Sequence, residues 1–207
     1  AKGHRFGFFP SIALGWLISE EKFMEKASRW LTLLKLKGSV GWVGNDDIGG
    51  RRFAYITTIK TDASGYEFGY SGDYSRQGYS EGEVGVGHLT WEKSRKTNIG
   101  VELGLWNEFN LQVDYFQEHR TNIFMQRKTI PTQAGFLTNP YANYGIVDNQ
   151  GVDGSLTWMH RFNKDWNVAF RGNFTYAKNK VREYDEPESV RGTYRSLTNM
   201  PIGTLWG

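Results

Sequence analysis

The chain has 207 residues, 25 Lys and Arg against 22 Asp and Glu, and a formal net charge of +3, so it is long enough for one domain and lacks the excess of basic residues expected for nucleic-acid binding. It has no cysteine, which excludes a disulfide framework and a thiolate metal site, and no run of about 18 apolar residues that would form a transmembrane helix. Aromatics make up 15% of it, yet mean hydropathy is below zero, which fits either rings in a packed core or rings at the two interfaces of a barrel whose strands are half in water.

In chain order, the first predicted strand covers 4–18. It sets Phe6, Phe8, Pro10, Ile12, Leu14, Trp16 and Ile18 on one face and Gly7, Ser11, Ala13 and Gly15 on the other, since successive side chains point to opposite faces. Ser19-Glu20-Glu21-Lys22 resembles a helix start with an acidic first turn. A second strand at 31–43 alternates Leu34, Leu36, Val40 and Trp42 with Lys35, Lys37, Ser39 and Gly41. The segment 44–88 is long, polar and rich in Gly, Tyr and Asp, and reads as a loop. A third strand at 89–106 sets Thr97, Ile99, Val101, Leu103 and Leu105 against Lys96, Asn98, Gly100, Glu102 and Gly104.

Asn107 to Asn110 forms a short connection to a fourth strand, 110–125, with Leu111, Val113 and Tyr115 opposite Gln112 and Asp114. After a polar loop at 126–150, the fifth strand, 151–162, carries Val152, Gly154, Leu156, Trp158, His160 and Phe162 on one face. Asn163-Lys164-Asp165 turns the chain into the sixth, 166–180, where Trp166, Val168, Phe170, Gly172, Phe174 and Tyr176 alternate with polar residues. The segment 181–207 is again loop-like. The chain opens inside a pattern and stops at Leu205-Trp206-Gly207 without a closing strand, as expected of an internal piece of something longer.

Connections alternate between short and long, as in outer-membrane barrels with periplasmic turns and extracellular loops. Trp16, Trp30, Trp106 and Trp166 fall near the short-turn end, and Trp42 and Trp91 near the long-loop end, as aromatic girdles would. The expected fold is therefore all-β: an antiparallel transmembrane β-barrel segment of about six long strands, an incomplete barrel within a single domain over 1–207. A β-sandwich or propeller also alternates, although sandwich strands average about five or six residues. On the barrel register, Lys35, Lys37, Asn98, Glu102, Gln112, Asp114, Asp153, Arg161, Arg171 and Asn173 face the lumen.

No catalytic constellation stands out. His4, His88, His119 and His160 lack ligand spacing and read as surface or interface residues, with His160 on the lipid-facing register near a turn. Ser11, Ser19 and Ser94 lack a nucleophile-elbow setting, and Gly82 to Gly87 lacks the strand-then-helix context of a phosphate loop. Asn45-Asp46-Asp47 reads as turn chemistry rather than a calcium loop. The expectation is no enzyme, metal or cofactor. A barrel enzyme would have to use Asp46, Asp47, Glu92 and His88, which match no motif.

Several ordered blocks resemble SusC/RagA-type TonB-linked outer-membrane transporters. Phe9-Pro10-Ser11 and Gly15-Trp16-Leu17-Ile18-Ser19-Glu20-Glu21-Lys22-Phe23-Met24 match the segment FPS…GW-IS-E-FM of that family. Leu34 to Ser39 leading to Gly44-Asn45-Asp46 comes next, then Leu89 to Ser94 leading to Asn98-Ile99-Gly100, Asp114-Tyr115-Phe116, and Asn143 to Gly151. Asp153 stands where the family is expected to have Glu. The resemblance implies a piece from the C-terminal half of a large barrel in the outer membrane of a Gram-negative, Bacteroidota-like cell. It implies an importer of oligosaccharides or peptides, powered through TonB and covered by a SusD-like lipoprotein lid. No signal peptide, TonB box or plug is recognisable. The competing expectation is a soluble, secreted β-sandwich-like module that binds carbohydrate or protein.

Recognition is expected in 64–80, where Tyr66, Phe68, Tyr70, Tyr74 and Tyr79 alternate with glycines beside Glu67, Asp73 and Arg76. Flat rings with nearby hydrogen-bonding groups suit a sugar or peptide, and Tyr/Gly loops suit a protein surface. The same rings also fit a hairpin packed on a neighbouring loop, or the contact with the lid.

Overall fold

The computed structural model describes residues 6–204. Its strands are β1 (Ser11–Leu17), β2 (Leu31–Asn45), β3 (Ile59–Phe68), β4 (Tyr74–Glu81), β5 (Glu92–Leu105), β6 (Phe109–Gln126), β7 (Tyr141–Arg161) and β8 (Asn167–Glu183). Six form one antiparallel sheet in the order β1-β2-β5-β6-β7-β8, and β3 and β4 form a separate hairpin. Among the described residues the large sheet does not close: β1 and β8 are its two edges. No helix among them is long and apolar enough to cross a membrane.

The six predicted strands are all present, with corrected limits. The strand predicted from residue 4 begins at Ser11, and the first residues of that prediction, with His4, lie outside the described residues. Pro10 has no N–H for the ladder, but its carbonyl still accepts from Trp42 N at 3.0 Å. β7 begins at Tyr141, ten residues ahead of the predicted start at 151. Tyr141 to Gln150 is rich in Asn and Gly and shows no clean alternation, yet it is paired along its length with the upper part of β6. The predicted loop 44–88 contains β3 and β4. The expected helix start at Ser19 is instead two 3-10 helices, Ile18–Glu20 and Lys22–Ala27, neither with a side-chain cap.

Register shows why these strands sit together. Residues paired across an antiparallel ladder share a face, and one row runs Trp16, Leu36, Val101, Val113, Gly154, Phe174 through all six strands. The next row runs Leu14, Gly38, Ile99, Tyr115, Val152, Tyr176. Below them lie Leu34, Leu103, Leu111 and Leu156, then Leu105, Phe109, Trp158 and Phe170. This apolar face is uncovered: Ile99 is 59% exposed, Leu14 75% and Tyr176 67%. Along β7 it extends from Val152 to His160, about 27 Å of strand, which at a tilt of about 35–45° spans about 19–22 Å of a lipid-facing band about 25 Å tall.

At the short-turn end the rings form a continuous run. Trp106 meets Phe109 edge-on (6.2 Å), Phe109 stacks on Trp158 (5.7 Å), Trp158 on His160 (6.1 Å), and His160 meets Phe162 edge-on (4.5 Å). His160 Nδ1 lies 2.8 Å from Glu108 Oε1, which anchors the ring on its predicted face. The turn after β7 is held by Asn163 Oδ1, which accepts from Asp165 N (2.9 Å) and Trp166 N (2.8 Å). Phe109, assigned by sequence to the preceding turn, is the first residue of β6.

The opposite face is polar and internally paired. Lys35 Nζ lies 3.6 Å from Glu102, and Lys37 Nζ lies 3.3 Å from Glu102 and 3.0 Å from Asp114. Gln112 Nε2 donates to Asp114 Oδ2 at 2.7 Å. Lys37 and Asp114 stand on β2 and β6 with Gly100 of β5 between them, so the ion pair crosses a strand. It can do so because Gly100 has no side chain: a Cβ there would meet Asp114 Oδ1 and lie 2.5 Å from Lys37 Cε. Asp114 is buried, so losing its cation leaves a carboxylate poorly compensated. The expected result of Gly100→Val is a loss of about 1–3 kcal/mol, read as a lower denaturant midpoint. Gly38→Ala, on the apolar face, should change it far less.

Candidate functional site

The long-loop end carries the groups that are not committed to the wall. The hairpin of β3 and β4 brings part of the predicted recognition set together. Tyr66 pairs with Arg76 and Phe68 with Tyr74, which places these four on one face. The Tyr66 and Phe68 rings are 5.0 Å apart, edge to face, and the Arg76 guanidinium lies 4.7 Å from the Tyr74 ring centre. Tyr70 is in the connecting turn, fully exposed, and Tyr79 alternates with Ser75 and Gln77 on the other face of β4. The five rings are therefore not one platform: three form a cluster, one sits at the tip and one faces away. The register of β3 against β4 shifts twice, between Lys60 and Ala63 and between Ala63 and Tyr66. Gly65 permits one of them, because a Cβ there would run into the Arg76 carbonyl.

The hairpin's base is tied down. Thr58 N donates to Glu83 O (2.9 Å), Val86 N to Ala54 O (2.8 Å), and Gly85 N to Thr57 Oγ1 (3.0 Å). This places Gly82 to Gly87 in ordinary loop pairing. Arg51 Nη2 donates to Tyr141 OH at 2.7 Å, its guanidinium lies 3.9 Å over that ring, and Leu137 N donates to Glu81 at 3.0 Å. Asn45 and Asp47 close turns through their own side chains, accepting from Asp47 N (3.0 Å) and Gly49 N (2.9 Å), as the turn reading expects. Glu92 takes Arg120 Nε at 2.7 Å, and His119 Nδ1 lies 2.5 Å from Asp148. Of the four residues a barrel enzyme would use, Glu92 is thus paired with Arg120 and Asp47 is used in its own turn.

Two consecutive carboxylates that sequence reasoning left in a loop hold this end together. Asp185, 2% exposed, accepts from Thr129 N (3.0 Å), Thr129 Oγ1 (2.8 Å) and Lys128 N and forms an ion pair with Arg127, whose Nε lies 3.0 Å away, which pins the β6–β7 loop. Glu186 accepts from Ser196 Oγ (2.7 Å), Thr198 N (3.0 Å) and Leu197 N, which pins the segment after β8. Burial disfavours charge on Asp185, but the Arg127, Thr129 and backbone donors outweigh it and hold its carboxyl well below the usual carboxylate range. Glu186 is lowered in the same way: burial opposes charge, and Ser196 with the backbone donors prevails. Nothing in the sequence marked this pair, because its partners lie 56 to 58 residues away for Asp185 and in an unpatterned stretch for Glu186.

Residues 2–201 match the family described as TonB dependent receptor-like, beta-barrel. TonB-dependent receptor P39 of Formosa agariphila is 32% identical over 206 residues, 98% of this chain and 18% of that protein. TonB-dependent receptor SusC of Bacteroides thetaiotaomicron is 29% identical over 187 residues, 87% of this chain and 18% of that protein. A solved structure of the RagAB peptide transporter superposes with a TM-score of 0.71 at 29% identity, covering 88% of this chain and 19% of that one. The chain thus spans about a fifth of the length of these relatives.

The carboxylate clamp has a definite pH dependence. Asp185 and Glu186 titrate lower when folded than when unfolded, so their contribution is complete above the unfolded values of 3.8 and 4.5 and is lost as pH falls through the lower folded values. Proteolytic nicking of the 127–139 loop should be flat from neutral pH to about pH 5 and rise only in stronger acid. Asp185→Asn should raise nicking at every pH, with the barrel strands still protected.

Proposed function

We propose, from the premise that this chain belongs to the TonB-dependent receptor-like β-barrel family, that it forms part of the wall of an outer-membrane nutrient importer of the SusC type. The observation that carries this is the sheet's two-sidedness: six registered strands with a continuous uncovered apolar face and a polar face of ion pairs. A β-sandwich would need a second sheet against the apolar rows, and among the described residues none packs there.

In this reading the apolar rows stand in lipid, with the aromatic run at the periplasmic interface and the hairpin and clamped loops outside the cell. The polar face lines the lumen, and its lysines and carboxylates neutralise one another instead of presenting a field of one sign to the passing solute. Uptake would draw energy from TonB acting on a plug, and a SusD-like lipoprotein would close over the loop end. The cargo would be an oligosaccharide or a peptide. Support for the partner and cargo comes from relatives: the solved neighbour is a peptide transporter named RagAB, and SusC is a matched relative. The cluster of Tyr66, Phe68 and Tyr74 with Arg76, and Tyr70 at the tip, is assigned here to contact with the lid or substrate. Exposed rings on a bulged hairpin contribute nothing to the wall, so a contact role accounts for them better than packing does.

A charge placed on the lipid face tests the wall. Val101→Arg should cost about 2–4 kcal/mol near the bilayer midplane and deplete the protein from the outer-membrane fraction, whereas Phe170→Arg, in the row of Phe109 and Trp158 at the periplasmic interface, should cost only about 0–1 kcal/mol. Neither should yield a soluble folded species. The hairpin is tested separately: Tyr66→Ala with Phe68→Ala and Tyr74→Ala should leave membrane assembly intact. Co-purification of the lipoprotein lid, or substrate-dependent growth, should fall by about tenfold or more. Full retention of both would remove the hairpin from the contact surface.

A further inference from the structure

A cavity of about 360 Å³ opens at the long-loop end between β6, β7, β8 and the segment after β8. Its walls are Ile123 and Met125 of β6, Val147 of β7, Val181 of β8, and Leu197 and Ile202 beyond them. By register it faces the polar, inner side of the sheet. Val147 pairs with Arg120 and Val181 and shares its alternation with Asp153, which lies opposite Asp114. An apolar pocket on a wall otherwise lined with charge needs a cause, and β6 supplies it. Asn122 adopts φ 57 and the β6–β7 register shifts between Arg120 and Ile123, so the alternation reverses and two residues that would face outward turn in. The bulge is fixed by Asn143, whose Nδ2 donates to Asn122 O (2.9 Å) and Thr90 O (3.1 Å).

The rim is polar and of both signs. Arg120, whose Nε and Nη2 are held by Glu92, stands on β6, and Glu183, hydrogen-bonded by Tyr144, stands on β8, with β7 between them, about 10 Å apart by strand spacing. Tyr184 is the one ring in the lining, and Lys128 Nζ already lies 5.1 Å over it. A sugar is gripped by free aromatic faces and many hydrogen-bonding groups, whereas these walls are branched aliphatics and a thioether. The volume lies at the low end of small-ligand pockets, which run about 300–1,000 Å³.

We infer that this cavity is a subsite for an aliphatic side chain of an extended peptide. The peptide's carbonyl oxygens would lie toward Arg120 and its N–H groups toward Glu183. The inference rests on the importer reading and deepens it, from cargo in general to a peptide with an aliphatic residue at this point. Leu197 and Ile202 belong to the segment that Glu186 pins, so the same clamp that orders the loop completes the pocket.

The test uses the intact receptor, purified in detergent after its outer-membrane assembly has been verified. Acetyl-Ala-Leu-Ala-amide and maltotriose serve as probes in calorimetric titration. The peptide should bind, and Leu197→Ser and Ile202→Ser, both outside the strands, should each weaken it by about tenfold or more. Maltotriose should show no heat sensitive to either change. In a separate variant, Ile202→Cys should react with N-ethylmaleimide in the resting receptor and be slowed by saturating peptide. Absence of peptide binding, equal effects on both probes, or a cysteine already blocked before peptide is added (the pocket filled by the receptor's own chain) would overturn the inference. A receptor that never reaches the outer membrane overturns the importer reading instead.

Discussion

The sheet has to keep one face in hydrocarbon while leaving no backbone group unpaired there, and everything else follows from that constraint. In lipid an unsatisfied N–H or C=O costs several kcal/mol, so each strand needs a neighbour along its whole crossing. A slip of one residue between two strands would turn an entire apolar set inward and a charged set outward. The rows through Trp16, Leu36, Val101, Val113, Gly154 and Phe174 hold together for this reason. Small residues within them, such as Gly154 opposite Phe174, make room for rings from adjacent strands.

The polar face carries the second half of the same constraint. There the strands have little apolar contact to offer, and ion pairs between strands, one of them stepping across a whole strand, take its place. Lys37 is the centre of that arrangement, bound to Glu102 on the neighbouring strand and to Asp114 one strand further on, over Gly100. Pairs of this kind contribute modestly in water-accessible surroundings, but they leave the lumen near neutral and fix the side chains that line it. The wall is held by register and lipid, and the lumen by local charge balance.

At the loop end neither lipid nor a ladder is available, and buried carboxylates that gather backbone donors take over. Asp185 and Glu186 each satisfy two backbone N–H groups of segments outside the strands. A short acidic step after β8 thereby fixes the loop before β7 and the segment after β8 at once. Such loops take their rigidity from a few carboxylate oxygens rather than from a core, which fits the scarcity of buried apolar residues among the described ones.

What the sequence determined by itself was the period: two-residue alternation fixed six strands, their inner and outer faces, and the short-turn end with its tryptophans, because side-chain direction in a strand is local. That Lys35, Lys37, Glu102, Gln112 and Asp114 share one polar face follows from that parity alone, and the ion pairs agree with it. Wherever a partner strand or a distant loop overrode local pattern, the sequence was silent. Tyr141 to Gln150 became strand because β6 was there to pair with it. The hairpin divided the tyrosines between two faces through shifts in β3 that no composition reveals. Above all, the bulge at Asn122 turned Ile123 and Met125 from the outer set to the inner one. Simple alternation would have placed them in lipid, and only long-range pairing decides where a ladder gains an extra residue.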